Sequence, residues 1–231
     1  FVKCFEDATS RDLSQFSRWY HQAGTPLVSV STAYDAGTFT LTLEQTIPAT
    51  PGQANKEPMH VPLSFALILD NGSLAEPASV SGGEVTGDVL HLTNRSQTFV
   101  FTGISSRPVL SLNRSFSAPI NLSFDQTTED LVHIARHDSD LFSRWQALNT
   151  LAVPNLIQAA RNAREGKPVT ADTAFVAALL EAAADARLEP AFRAQVLALP
   201  SEADIARELG GNNDPDAIHA GRQAVLAAIA E

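Results

Sequence analysis

The spacing of apolar residues along the chain changes near Leu27 and again near Thr128, marking off three stretches. In the first, Leu13, Phe16 and Tyr20 recur at intervals of three and four, the period that gathers side chains on one helical face. Thr9 or Ser10 is placed to cap this short helix near Asp12, Gly24 to end it in a left-handed C-cap, and Pro26 to prevent its continuation. Residues 1–8 read as the last turn of another helix, one that continues something upstream. From Leu27, Val28 and Val30 onward the period falls to two. Phe39, Leu41, Leu43 and Ile47 alternate with Thr40, Thr42 and Glu44, the signature of a strand with one wet face. Asp35-Ala36-Gly37 supplies the turn before it.

A loop rich in Pro, Gly and polar residues follows at 48–58, and then a more continuous apolar strand at 61–69. Asp70-Asn71-Gly72 gives a hairpin signal, because Asn-Gly tolerates positive φ at both central positions. Shorter strands are expected at 89–92, 98–101, 109–112 and 120–124, with Ser81-Gly82-Gly83 and Gly103 as turns between them. Some seven or eight short strands with regular turn signals argue for an antiparallel β-sandwich.

Beyond Thr128, a potential helix cap, the chain becomes rich in Ala, Leu and Arg and no strand pattern survives. Helices are expected at 140–165 (with Pro154 a possible break), 171–186 after Thr170, 190–199, 202–209 after Ser201, and 215–230 after Asp214. Ser201 with Asp204 has the form of a capping box, and Asp214-Pro215 sets a cap before a proline at the first helical position. Abundant alanine suits closely stacked antiparallel helix pairs. The fold class is therefore α+β by segments: an all-β antiparallel sandwich of immunoglobulin-like type, then an all-α helical array. The array stops at Glu231 without an evident capping element, so a native continuation is expected.

Composition narrows the function. A formal net charge of -10 with scattered Lys and Arg argues against a nucleic-acid partner, which needs a basic stripe. No apolar run reaches the roughly 20 residues that span a bilayer, so no membrane partner is expected. Cys4 is the only cysteine, which removes intrachain disulfides and cysteine zinc sites and favours a reducing, cytoplasmic location. Four Asn-x-Ser triplets, at Asn71, Asn94, Asn113 and Asn121, read as chance occurrences in Ser-rich strands rather than glycosylation sites.

No catalytic constellation emerges. His133 and His137 share a helix face and could both reach a metal. The metallopeptidase motif His-Glu-x-x-His needs a carboxylate after the first histidine, and that position is Ile134; the third ligand would fall on Leu156. Asp138 and Asp140 beside them read as capping or solvated groups. Cys4 and His21 lack an orienting third residue. Gly82, Gly83 and Gly87 lack the Lys-Ser/Thr of a phosphate loop, and there is no Gly-x-Ser-x-Gly elbow. More telling, both tryptophans end the tetrapeptide Phe-Ser-Arg-Trp, at 16–19 and 142–145. Phe and Trp three apart share a helix face, so Phe16, Trp19, Tyr20, Phe142 and Trp145 are candidate domain-docking residues, with ordinary core packing as the alternative.

Several segments carry a family resemblance: Asp12 to Pro26, with Arg18-Trp19-Tyr20 and Gln22-Ala23-Gly24-Thr25-Pro26; Pro48-Ala49-Thr50-Pro51 with Lys56-Glu57-Pro58; Gln97 to Phe101; Phe116-Ser117-Ala118-Pro119; 140–147; and 197–202. In that order and over nearly the whole chain, they resemble the bacterial aminopeptidase N family, zinc metallopeptidases of the gluzincin class. The resemblance implies a fragment in which 1–25 end an upstream catalytic domain, 26–127 form the β-sandwich, and 128–231 begin the helical C-terminal domain. It places the zinc and all catalytic residues outside this chain. It also implies that the partners are the catalytic domain and the rest of the helical domain of one polypeptide, with peptides as the parent's substrate. The implied role is a non-catalytic scaffold that spaces and orients the helical domain. The alternative is an immunoglobulin-like binding module with a helical partner domain, although the Cys, Trp, Cys spacing of true immunoglobulin domains is missing.

Overall fold

The computed structural model describes residues 1–211 and 213–230, so Glu231 lies outside the described residues. The chain folds as two compact units, 1–125 and 126–231.

The first unit is a sandwich of two sheets. Its strands are β1 (Leu27–Asp35), β2 (Thr38–Thr46), β3 (Val61–Ile68), β4 (Ser79–Ser81), β5 (Val85–Thr86), β6 (Val89–Leu92), β7 (Ser96–Thr102), β8 (Val109–Leu112) and β9 (Asn121–Phe124). One sheet runs β4-β7-β2-β1-β9 and the other β5-β6-β3-β8. The expected alternation holds along β2: Phe39, Leu41 and Leu43 point inward and meet Phe99, Phe101, Leu63, Leu67, Leu90 and Leu92 in one apolar core. Ile47 is buried too, just past the strand's end.

β1 and β2 are joined by a two-residue turn between the paired Asp35 and Thr38. Ala36 and Gly37 in that turn both have positive φ, 42° and 84°, the geometry that matches the twist of a tight hairpin. The strand pairs are antiparallel with one exception: β9 runs parallel to β1, with Leu27 opposite Asn121 and Val30 opposite Phe124. At Asp70-Asn71-Gly72 the chain reverses, but of these residues only Gly72 takes positive φ. Asn71 instead accepts a hydrogen bond from Ser73 N through its own side chain, and a single bridge, Ile68 to Leu74, replaces the expected hairpin ladder.

The helical expectation for 12–20 is only partly met. α1 (Val2–Thr9) is a true helix and α2 (Arg18–His21) is a single turn. Leading into α2, one helical bond joins Ser17 N to Leu13 O, and then bonds from Arg18 N to Gln15 O, Trp19 N to Phe16 O and Tyr20 N to Ser17 O follow the tighter i to i−3 pattern. The chain leaves α2 at Gln22, so Gly24, with φ 98°, turns the backbone after the helix instead of capping it.

The second unit holds α3 (Thr128–His137), α4 (Leu141–Arg164), α5 (Thr173–Ala184), α6 (Pro190–Val196), α7 (Glu202–Leu209) and α8 (Pro215–Ala230). Pro154 is accommodated inside α4, which continues through it. The caps differ by a residue or two from those expected: Thr127 rather than Thr128 caps α3, and Asp172 rather than Thr170 caps α5. Ser201 and Asp204 form the expected reciprocal capping box, and Asp214 accepts from Ala217 N at the start of α8.

Arginines then staple neighbouring helices by donating to carbonyls at their ends. Arg144 Nε reaches Ala135 O (2.7 Å), Arg193 Nε reaches Ala183 O (2.6 Å) and Arg222 Nε reaches Pro200 O (2.9 Å). The small residues work as expected where α4 meets α8. A Cβ built on Gly221 would lie 2.6 Å from Ala160 N, so only glycine permits that approach.

Candidate docking junction

Residues 12–26 contain the first Phe-Ser-Arg-Trp and lie against the segment 48–60 that leads into β3. Residues 58–60 lead directly into β3, and their carbonyls are taken up alternately by side chains of 12–26 and by Gln45. Pro58 O accepts from Gln15 Nε2 (3.2 Å) and from Arg18 Nη1; His60 O accepts from the Trp19 indole Nε1 (2.8 Å). Met59 O accepts instead from the buried Gln45 Nε2 (2.9 Å), whose Oε1 receives Met59 N (2.8 Å). Gln15 Nε2 also reaches Thr93 O (2.6 Å). Phe16 sets its ring edge-to-face against His60, with centroids 6.3 Å apart, and Trp19 packs on the sandwich core. Gln45 is an exception to the β2 pattern, a polar side chain on the buried face that is saturated by backbone partners.

A second set of bonds closes the junction further along. Lys56 is buried, and its ammonium donates to Ala23 O (2.9 Å), Thr50 Oγ1 (2.8 Å) and Gln53 Oε1 (2.7 Å). Three oxygen dipoles thus solvate a charge that burial has taken out of water. Gln53 also receives Ala23 N and donates to His21 O. Gln22 and Glu57 exchange two hydrogen bonds, Gln22 Nε2 to Glu57 O (2.9 Å) and Glu57 N to Gln22 Oε1 (2.8 Å). Arg95 donates to Lys56 O. The motifs Gln22-Ala23-Gly24 and Thr50 with Lys56-Glu57-Pro58, singled out separately in the sequence, are therefore two faces of one joint.

Outside this joint, Tyr20 is exposed and meets Phe1 edge-to-face at 6.4 Å; Phe1 in turn meets Phe5 at 5.2 Å. α1 buries none of its residues, and this aromatic group is its apolar face.

The second Phe-Ser-Arg-Trp lies in the first turns of α4 and is used differently. The rings of Phe142 and Trp145 meet at a tilt of 42°, with centroids 5.9 Å apart. Trp145 lines a shallow pocket with Leu148, Phe175, Leu179, Val196 and Leu199 of its own unit. Ser143 pairs with the capping Asp140, and Arg144 is the buried staple to Ala135. Burial pulls the Arg144 guanidinium below its ordinary range, against the opposing pull of Asp185 3.8 Å away. Asp185 itself is held down to about 2, chiefly by the side-chain and backbone hydrogen bonds of Arg187.

The histidines at 133 and 137 do share a face, with ring centroids 4.6 Å apart. Burial lowers the pKa of His137, helped by His133, Arg136 and Arg144 and opposed by Glu181. Asp138 accepts from Asp140 N and Asp140 caps α4, so both carboxylates serve the helix junction. Among the described residues no three His, Cys, Asp or Glu side chains converge as metal ligands. Cys4 is exposed on α1, and the His21 carbonyl is occupied by Gln53. Among the described residues no helix is long and apolar enough to cross a membrane.

The comparisons with known proteins fit this architecture. Residues 24–125 match a domain of unknown function (DUF3458) with an Ig-like fold, and residues 128–231 match a second domain of unknown function (DUF3458_C), described as ARM repeats. The whole chain aligns with aminopeptidase N of Escherichia coli at 37% identity, of Haemophilus influenzae at 35% and of Caulobacter vibrioides at 39%. It spans about a quarter of the length of these curated relatives, 25–26%. A crystal structure of Legionella pneumophila aminopeptidase A in complex with aspartic acid shares the fold with a TM-score of 0.75 at 22% identity, over 99% of this chain and 25% of that one. The chain is thus homologous, from end to end, to one segment of bacterial aminopeptidase N, the segment made of an Ig-like sandwich and an ARM-type helical domain.

Proposed function

We propose that this chain is the non-catalytic scaffold of a longer, cytoplasmic zinc aminopeptidase that releases N-terminal residues from peptides. Residues 1–25 complete the upstream catalytic domain, 26–127 are the spacer and 128–231 begin the helical domain. The spacer sets the distance and orientation of that helical domain over the catalytic cleft. Zinc and the peptide substrate belong to the catalytic domain of the same polypeptide. Phe16 and Trp19 dock the exit segment, residues 11–26, on the sandwich, Tyr20 meets Phe1 ahead of it, and Phe142 with Trp145 anchors α4 within its own unit.

The observation that carries this reading is the junction. A segment aligned throughout with a peptidase relative is tied to the sandwich by Gln15, Arg18, Trp19, Gln22 and Lys56, which is the fixity a spacer requires. The test compares two proteins. The 231-residue chain is expected to leave an aminoacyl-anilide intact and to bind no stoichiometric zinc. In the full-length parent, Trp19→Ala or Trp145→Ala is expected to lower thermal stability and activity together. Anilide hydrolysis by the short chain with one bound zinc would overturn the division of labour, and unchanged parent variants would overturn the docking role.

A further inference from the structure

Beneath the joint, His60 and His91 form a directly bonded pair, His60 Nε2 to His91 Nδ1 at 2.8 Å. His60 is the residue on which the exit segment rests: Phe16 lies edge-on to its ring and the Trp19 indole donates to its carbonyl. The outer nitrogen of His91, Nε2, is buried, and no described residue offers it a hydrogen bond.

The proton count of the pair follows from this placement. Two neutral imidazoles carry one proton each, and one of these lies between the rings. If His60 supplied it, the proton of His91 would sit on the buried Nε2 without an acceptor. The arrangement that avoids this has His91 Nδ1–H donating to His60 Nε2, His60 protonated at Nδ1, and His91 Nε2 bare. A further proton entering this closed pair has only His91 Nε2 to occupy, where a charged N–H would be buried and unpartnered. Opening the pair frees His60 Nε2 to take the proton instead.

We propose that the His60–His91 pair is an acid-sensitive latch for the exit segment, closed while both rings are neutral and opened by uptake of one proton. The charged groups that face His60 are Arg11 on the exit segment and Glu84 on the stretch before β5. Arg18, on the same segment, is taken up by Pro58 O. Burial leads in pulling the His60 pKa below its ordinary value, His91 and Arg11 add to it, and Glu84 opposes. A lowered histidine pKa makes the closed state more stable above the ordinary value near 6.5, and that stability is lost as pH falls below it.

The readout is hydrogen exchange of the Trp19 indole N–H in the 231-residue chain, expressed as a protection factor so that intrinsic exchange cancels. With one proton linked to opening, protection is expected to fall between pH 7.5 and pH 4.5 by up to about tenfold per pH unit below the ordinary histidine value. His60→Gln keeps the carbonyl that Trp19 uses and an acceptor for His91 Nδ1–H, and is expected to flatten this dependence. Protection in the unsubstituted chain that stays within about twofold across the range, or that falls equally in H60Q, overturns the latch. Nitrogen-15 spectra of the unsubstituted chain at pH 7.5 add a test needing no variant: His60 must carry its proton on Nδ1, and the opposite tautomer refutes the proposal.

Discussion

Replacing Lys56 with Met tests the energetics of the joint directly. Methionine keeps most of the apolar stem and removes the ammonium, which is 6% exposed as part of the whole residue and has three acceptors. Gln53 Oε1 retains a donor, Ala23 N at 2.8 Å, and the Thr50 hydroxyl can rotate to another partner. The Ala23 carbonyl loses the donor shown here, although Ala23 is exposed and water can reach it. Hydrogen bonds from a charged donor contribute about 1.5–3 kcal/mol each, while relief of the ammonium's desolvation works in the opposite direction. The expected net loss is therefore about 2–3 kcal/mol, below the ~3–5 kcal/mol seen when one partner of a buried ion pair is removed. For a unit of this size that corresponds to a fall in midpoint of roughly 6–15 °C. Trp19 fluorescence, read in a Trp145→Phe background, reports this unit alone. A midpoint within about 2 °C of the parent, well under the shift expected for 2 kcal/mol, would falsify the claim that Lys56 holds the exit segment.

Three further outcomes follow from particular contacts. Gly82→Ala would put a Cβ 1.8 Å from Thr98 O at a φ of 91°; loss of about 2–3 kcal/mol is expected, with faster amide exchange in β4 as its local sign. Gly221→Ala forces α8 away from backbone atoms of Ala159 and Ala160, and its overpacking cost exceeds the gain of about 1 kcal/mol in helix propensity, so the denaturation midpoint followed at 222 nm should fall. The Asp185 carboxyl titrates at about 2. The stabilisation it gives is therefore complete above the ordinary carboxylate range and lost as pH falls through about 2; Arg187→Ala should return its carbon-13 titration toward the ordinary value.

Periodicity revealed what is local and missed what depends on distant partners. The alternation of Phe39, Leu41 and Leu43 was enough to place β2, whereas Gln45 broke the rule because the carbonyls of Met59 and Asn94 satisfy it. The spacing of Leu13, Phe16 and Tyr20 suggested a continuous helix, yet only the single turn Arg18–His21 is helical, with mostly i to i−3 bonds, while side chains of the segment bond outward to Pro58, His60 and Thr93. Strands β4 and β5 are too short to show a period, and the parallel pairing of β1 with β9 joins residues no local pattern connects. Trp19 was visible as an anchor from its neighbours, but Gln15, Gln22, Gln53 and Lys56 were not identified as its companions. The clue to Gln53 and Lys56 was the polar richness of 48–58, which reads as an ordinary loop until the opposite face is known.

The alternating carbonyls of residues 58–60 imply a lopsided tolerance to substitution. Pro58, Met59 and His60 contribute main-chain oxygen to the joint, which nearly every amino acid supplies alike. Gln15, Arg18, Trp19 and Gln45 contribute side-chain donors of particular reach. Around residues 58–60 the specificity of the joint is therefore written almost wholly on the donor side. Pro58 has room to vary without loosening the attachment, whereas Met59 is held by its own side chain, fully buried in the sandwich core, and a change to any donor alters the fit between the two segments.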